Sequence, residues 1–404
     1  MNGRGGGELS RSILISDGEQ RSALATVRSL GRRGYSVFVC STSGRSIAGA
    51  SRYATAERHV SAPLANPSRF AQDVANLIAE WKIDLFLPMT EESFNAVFAH
   101  SDLFRGVCIP AASADQFRAV SDKKRVLELA ASSGLDVPAQ VVISAPDAAD
   151  SVLQGSVRFP LVVKPARSVT QVGGKQLKVG IGHCRDLAEL RRTIAALPAA
   201  AYPLLLQQRV IGPGVGVFLL IWDGELVAQF AHRRLREKPP AGGVSVYRES
   251  IAADESLVDR SRQLLDSFGW RGVAMIEYKM DETTGIPFIM EINGRFWGSL
   301  QLAIDAGVDF PSLLVARAFG ERVFGPRAYK LGVRSRWEWG GVDYALARLR
   351  LNDRELSLPL GSPGRLRGVL SALVPWVPGD RLEVFRFSDP APFFRETGQY
   401  FRRS

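Results

Sequence analysis

Residues 215–237 read VGVFLLIWDGELVAQFAHRRLRE. Two long apolar runs meet at Asp223-Gly224, a dipeptide suited to the positive φ angles of a two-residue hairpin turn. A chain holding this segment is committed to an antiparallel pair of buried strands. RFPLVVKPAR (158–167), YPLLLQQRV (202–210), GVAMIEYKM (272–280) and PFIMEING (287–294) also read as strands, the last two joined by a longer turn over Asp281–Gly285. Helical spacing intervenes near 186–196 and 255–268. This part of the chain is α+β.

The first third is built differently. SILIS (12–16), YSVFVC (35–40) and DLFLPM (84–89) are short runs apolar on both faces, separated by helical spacing at 21–34 and 67–81. Such alternation predicts a Rossmann-like parallel α/β unit, with ligand-facing residues at strand C-terminal ends near Asp17 to Arg21 and Thr90 to Ser93. A helix is expected to start at Ser121-Asp122. The division is a glycine-rich flexible leader (1–11), the Rossmann-like unit (12–120), an α+β domain (121–325) and a C-terminal extension packed on the body (326–404). The extension carries helical spacing at 342–351 and 365–373 and a strand-like RLEVFRF.

Composition limits the function classes. The chain has 404 residues, 46% hydrophobic and 23% charged, which suits a globular enzyme rather than disorder. A formal net charge of +10 favours anionic ligands such as nucleotides, phosphates or carboxylates. No lysine-rich tail is present and the arginines are scattered among apolar residues, so no nucleic-acid partner is expected. Cys40, Cys108 and Cys184 have neither metal-ligand spacing nor a disulfide framework, which suits a reducing compartment. The start MNGRGGGELSRS lacks the apolar core of a secretory signal, and the most apolar window, Leu204 to Trp222, is broken by Gln207, Gln208, Arg209 and Gly212. No membrane partner is expected, and the cytoplasm is the default location.

The sharpest chemical signal is FIMEINGRFWGS (288–299), where a core strand runs into Glu291, Asn293 and Arg295, all on one face by alternation. The preceding strand delivers Glu277 beside Glu291. Two carboxylates this close repel unless a cation joins them, and an all-oxygen set completed by phosphate suits magnesium. Arg295 can then reach phosphate oxygens that the metal leaves uncovered. A plainer reading, strand-end charges partnered by Arg295, stands beside it. Lys164 closes an apolar strand and Lys123 opens a helix; each suits a phosphate, and each also fits an ordinary surface lysine. Gly173-Gly174 in SVTQVGGKQ reads as a phosphate loop or as a hairpin turn. HRRLREKPPAGGVSVYRES (232–250) gathers His232, Arg233, Arg234, Arg236, Lys238 and Arg248. In a regular strand His232, Arg234 and Arg236 share a face, able to neutralise a carboxylate and its acyl phosphate or to form a solvated basic strand.

Taken in order, Asp122-Lys123, Lys164, the glycine loop, LLLQQRV and Glu277…Glu291-x-Asn293-x-Arg295 resemble the ATP-grasp superfamily over roughly residues 12–320. The resemblance implies a two-lobed ATP-grasp domain over 121–325 behind the Rossmann-like unit. It implies ATP contacts from Lys123, Lys164, Gly173, Gly174, the Gln208 amide and backbone groups of Arg209, Val210 and Ile211. It implies magnesium, or manganese, on Glu277, Glu291 and Asn293, with Arg295 stabilising the transferring phosphoryl group and Arg234 and Arg236 joining it as catalytic cations. Two positions depart from the pattern. Gln207-Gln208-Arg209 replaces a common Gln-Glu, and Val215 lies near where many members carry an acid for the ribose hydroxyls. The implied activity is an ATP-dependent ligase that phosphorylates a carboxylate and transfers the acyl group to an amine, with homodimerisation left open. Rival readings are a bicarbonate- or carbamate-activating, carbamoyl-phosphate-synthase-like enzyme and a non-catalytic ATP-binding module. A dinucleotide enzyme is disfavoured, because Ser16–Gln20 lacks the G-x-G-x-x-G spacing.

Overall fold

A computed structural model of the chain describes residues 11–148, 158–172, 175–240, 242–356, 358, 362–373 and 379–403. These residues form two compact units. One comprises the chain through Pro110 with residues 318–320 and the stretch from Phe385 onward; the other comprises 111–317 and 321–384. The stretch expected as a single C-terminal extension is thus shared between both.

The first unit contains β1 (Ser12–Ile15), α1 (Arg21–Arg32), β2 (Ser36–Ser41), β3 (Ala56–His59), α2 (Pro67–Trp81), β4 (Leu85–Leu87) and α3 (Glu91–Ala99). Its sheet has the order β3-β2-β1-β4 with every pair parallel. Leu14, Phe70, Val74 and Phe86 are in its core. Helix α2 starts where the sequence says it must: Asn66 accepts a hydrogen bond from the Arg69 N–H, and Pro67 occupies a first-turn position that needs no donor. Strand β3, AERH, carries no apolar signal because it lies on the edge of the sheet with two of its four residues exposed.

The strand ends expected to face a ligand are otherwise engaged. Asp17 has φ 55°, and its carboxylate accepts hydrogen bonds from Ser16 Oγ, Met89 N–H, Thr90 Oγ1 and Ser93 Oγ at 2.5–3.2 Å. This knot ties the end of β1 to the start of α3. Burial nonetheless raises the Asp17 pKa, with the hydrogen bonds opposing it. Glu19 accepts from Thr42 Oγ1 and Ser43 N–H. Asp389, far along the chain, belongs to this unit through a buried ion pair with Arg28 at 2.8 Å and hydrogen bonds from Ser51 and Arg52.

The second unit begins with α4 (Ala114–Ser121) and α5 (Lys123–Ser132), the latter capped by the Asp122 carboxylate, which accepts from Arg125 N–H. Next come β5 (Gln140–Ile143), β6 (Leu161–Pro165), β7 (Val169–Val172), β8 (Lys175–Lys178), β9 (Gly182–Cys184), α6 (Leu187–Ala195) and β10 (Leu204–Gln208). They make an antiparallel sheet β5-β10-β6-β9 and a separate hairpin β7-β8. One face of that sheet, with Leu161, Val163, Leu204 and Leu206, packs on α6 through Leu190 and Ile194.

The larger sheet is built from β11 (Gly214–Trp222), β12 (Glu225–Lys238), β13 (Val244–Ser250), β14 (Gly272–Met280) and β15 (Pro287–Asn293), with α7 (Glu255–Asp266) before β14 and α8 (Leu300–Ala306) and α9 (Phe310–Ala318) after β15. β16 (Arg334–Arg336), α10 (Glu338–Arg350), α11 (Arg365–Leu373) and β17 (Asp380–Leu382) complete it, in the order β15-β14-β11-β12-β13-β16-β17. The hairpin turn between β11 and β12 has positive φ at both Asp223 (51°) and Gly224 (76°), as a two-residue primed turn requires. Part of the expected extension therefore continues the main sheet. Of RLEVFRF, only its first two residues are strand. Among the described residues no helix is long and apolar enough to cross a membrane.

Candidate active site

Strands β14 and β15 place Glu277 directly opposite Glu291, and Met275 opposite Asn293, with a register shift just past the Glu pair. Glu291 receives the Lys123 Nζ at 3.2 Å, and the same ammonium donates to Ser168 Oγ at 2.8 Å. Lys123 is buried at the first turn of α5, where its backbone N–H donates to Ala166 O. Burial alone would raise the Glu291 carboxyl, but the Lys123 and Lys164 ammonium groups outweigh it and hold its pKa down to about 2. Lys164, on β6, points its Nζ to within 3.9 Å of Met290 Sδ; burial lowers its pKa against the pull of Glu291. Asn293 Nδ2 donates to Glu291 Oε1 at 3.2 Å, while its Oδ1 accepts from Arg295 Nη2 at 3.1 Å. Gly294 is fixed by packing, since a Cβ there would lie 2.3 Å from the Trp270 ring.

Glu277 is held from the other side. Arg234 grips it with both ends of the guanidinium, Nη1 to Oε1 at 2.7 Å and Nη2 to Oε2 at 2.5 Å. Arg234 Nη1 also donates to Glu237 Oε1 at 2.8 Å, and Glu237 Oε2 accepts from Lys279 Nζ at 2.8 Å. Desolvation opposes the charge on Arg234, yet the two carboxylates raise its pKa; Glu237 is lowered by Lys279 and Arg234 despite its burial. Arg234 is on β12 and Glu277 on β14, so the side chain must cross the intervening β11. It can do so because β11 carries glycine there: a Cβ on Gly214 would come 2.8 Å from Arg234 Cδ, and one on Gly216 would meet Phe218 at 2.6 Å and His232 Nε2 at 3.1 Å. His232, fully buried, is kept neutral by burial and by the charges of Arg234 and Arg248.

The donor set suits a hard cation. Among the described residues no three His, Cys, Asp or Glu side chains converge to hold a metal alone. Two facing carboxylates with an amide oxygen nevertheless form an all-oxygen set that phosphate oxygens would complete. Both carboxylates already have cationic partners, so the charge that a metal would neutralise is balanced by Lys123 and Arg234.

Several expected positions fall elsewhere. Arg236 does not share a face with Arg234, because register shifts on both sides of it set Arg234 against Arg248 but Arg236 against Tyr247. Its guanidinium stacks near Tyr247 and Tyr344 and donates to Ser371, beside α10 and α11 rather than the carboxylates. Gln208 is exposed, and alternation puts it on the face opposite Lys164. Gln207 is the glutamine on the Lys164 face; it is buried and donates to Gln140 Oε1 at 2.9 Å. Arg209 N–H donates to Pro160 O, and Ile211 O accepts from Glu282 N–H, so this segment is pinned on both sides of Val210. Val215 is buried between Arg233 and Tyr278, one residue out of step with Gly214 and Gly216, and so faces away from Glu277. Gly173 and Gly174 lie outside the described residues. Residues that sequence reasoning missed are Glu237, Lys279, Ser168 and the two glycines of β11. The GVG start of an otherwise bulky strand was the available signal for the last two.

Residues 200–339 match the family described as ATP-grasp in the biosynthetic pathway with Ter operon. Among solved structures, the chain is similar to a biotin carboxylase–ATP complex from Campylobacter jejuni (TM-score 0.63, 15% identity, covering 80% of this chain and 74% of that one). It is also similar to an L-amino acid ligase from Bacillus licheniformis (TM-score 0.58, 17% identity, 76% and 74%) and to N5-carboxyaminoimidazole synthetase from Staphylococcus aureus (TM-score 0.59, 15% identity, 81% and 82%). A curated relative, a putative urea carboxylase of Emericella nidulans, is 24% identical over 56% of this chain. The chain spans about a fifth of that relative's length, 19%. The fold is that of the ATP-grasp superfamily.

Proposed function

We propose that this ATP-grasp chain is a magnesium- and ATP-dependent ligase that phosphorylates a small carboxylate and passes the acyl group to an amine. The observation that carries this reading is the facing pair Glu277 and Glu291, with Lys123 and Asn293 on Glu291, Arg295 on Asn293, and Lys164 close by. Glu277, Glu291 and Asn293 would hold the magnesium, which would supply neutralisation of phosphate charge during transfer. Lys123 and Lys164 would hold the nucleotide phosphates as point charges, and Arg295 would meet the transferring phosphoryl group. The carboxylate oxygen attacks the terminal phosphorus and ADP leaves; the amine nitrogen then attacks the acyl carbon and phosphate leaves. The chain's share of catalysis is positioning and charge neutralisation. Gln207, which lies on the Lys164 face, rather than Gln208 would meet the base.

The likeness to carboxylases favours one second reading, with bicarbonate as the phosphorylated acid. One screen separates them: ADP release from magnesium ATP across carboxylates, bicarbonate among them, with and without amines. Release that requires a carboxylate and an amine together supports the ligase, and release with bicarbonate alone supports the second reading. ATP binding with no ADP release over the whole panel would make the chain a nucleotide-binding module and sink both.

A further inference from the structure

The grip of Arg234 on Glu277 is more than neighbouring charges in contact. Both carboxylate oxygens are used. A metal at the facing glutamates needs one of them, so the guanidinium and a divalent cation compete for the same atoms. Arg234 is also arranged to survive losing that partner. Its Nη1 keeps Glu237 Oε1 at 2.8 Å and the Gly243 carbonyl at 3.2 Å, and Glu237 is itself anchored by Lys279. The guanidinium Nε is buried with no hydrogen-bond partner among the described residues. Nε and Nη2 share one edge of the planar group, Glu277 takes the other, Nη1–Nη2, edge, and among the described residues the Nε–Nη2 edge has no acceptor of its own. Releasing Glu277 would free the guanidinium to turn this two-pronged donor edge, the geometry that fits two oxygens of one carboxylate or phosphoryl group, toward a ligand.

Resting on the reading above, we propose that Arg234 exchanges partners: it holds Glu277 until a divalent cation takes that carboxylate, then turns its Nε–Nη2 edge to the oxygens of the acid substrate or its acyl phosphate while Glu237 keeps it in place. Metal binding thereby arms the acid-binding residue. Gly214 keeps the crossing over β11 clear, since a Cβ there would lie 2.8 Å from Arg234 Cδ. Glu237 is the fallback partner that makes the exchange affordable in a buried site, where an unpaired guanidinium would be costly.

The test reads metal affinity directly, by electron paramagnetic resonance titration of manganese into the full chain without nucleotide. Arg234→Met removes the competitor, so manganese binds at least about five-fold tighter than to wild type. Glu237→Gln removes the fallback, so manganese binds at least about five-fold more weakly. A merely structural ion network would weaken binding in both variants or in neither, and either outcome overturns the exchange. Calorimetric titration of inorganic phosphate in the presence of magnesium and ADP gives the second reading: Arg234→Met binds it at least about five-fold more weakly, although its metal affinity has risen. Unchanged phosphate affinity overturns the acid-binding half. If Arg234→Met does not fold, Arg234→Lys replaces it in both titrations with the same expected signs, since an ammonium cannot hold both Glu277 oxygens as the guanidinium does. Manganese failing to bind wild type even with ATP overturns the metal reading and the exchange together; binding that none of the variants alters overturns the exchange only.

Discussion

Arg234 and Arg236 stand two residues apart on one strand and end in different chemistry. Arg234 crosses β11 past Gly214 to reach Glu277 and also bonds Glu237 on its own strand. Arg236 stacks on tyrosines and bonds Ser371 near the C-terminal helices. In a regular strand they would share a face. The register shifts around Arg236 turn it to the opposite face, and a single slip of this kind moves a side chain from a cluster of carboxylates to a packing role. The lesson is that a cluster of arginines in sequence becomes a site only after the local register has sorted its members.

The contrast can be broken most forcefully on the carboxylate side. Glu291→Gln is expected to cut ADP release by about 10²–10³-fold with an unchanged circular dichroism spectrum, since a charge-neutralising contact in a dry site is lost. Near-wild-type turnover would end the metal assignment. Arg234→Met should lower ADP release by about 10²-fold, whereas Arg236→Met should change it by less than about three-fold and instead cost about 1 kcal/mol in urea unfolding. Equal activity losses in the two would erase the distinction drawn between the faces. A finer probe is Gly214→Ala, whose new methyl would displace the Arg234 stem; about ten-fold lower ADP release, with a melting temperature within a few degrees of wild type, is the expected pattern.

The smallest effect concerns His183, which pairs with Val162 on the Lys164 face of the smaller sheet. Its pKa is lowered to about 4 by burial and by the Arg209 and Lys164 charges, from an unfolded value of 6.5. Between those values the unfolded chain binds the proton and the folded one does not, so stability falls as pH drops from about 6.5 to about 4 and this loss levels off below. Replacing His183 by Gln should flatten the dependence of urea stability on pH in that window by under about one proton, while an unchanged slope would show that His183 is not its source.

Much of the scaffold was legible because its signals are local. Asp223-Gly224 between two apolar runs has one good solution, and the turn takes it. Asn66-Pro67 starts a helix for reasons contained in those two residues. Glu291 and Asn293 share a face by alternation, and the hairpin from β14 to β15 set Glu277 opposite. What could not be read were relations set by neighbours distant in sequence: the charged edge strand β3, the entry of β16 and β17 into the main sheet, and the pairing that sets Gln207, not Gln208, on the Lys164 face. Asp17 carries the same lesson, because its partners Thr90 and Ser93 lie at the start of α3 and turn an apparent ligand position into a structural knot.

The sequence by itself determined the long apolar strands, their principal turns and the oxygen-rich end of β15, since alternation, turn chemistry and capping act within a few residues. Tertiary structure alone decided which charges meet. Glu277 acquires Arg234 across a strand that carries glycine, and Glu291 acquires Lys123 from a helix more than a hundred residues earlier. Those encounters depend on register and on the room left by absent side chains, and neither is encoded in the charged residues themselves.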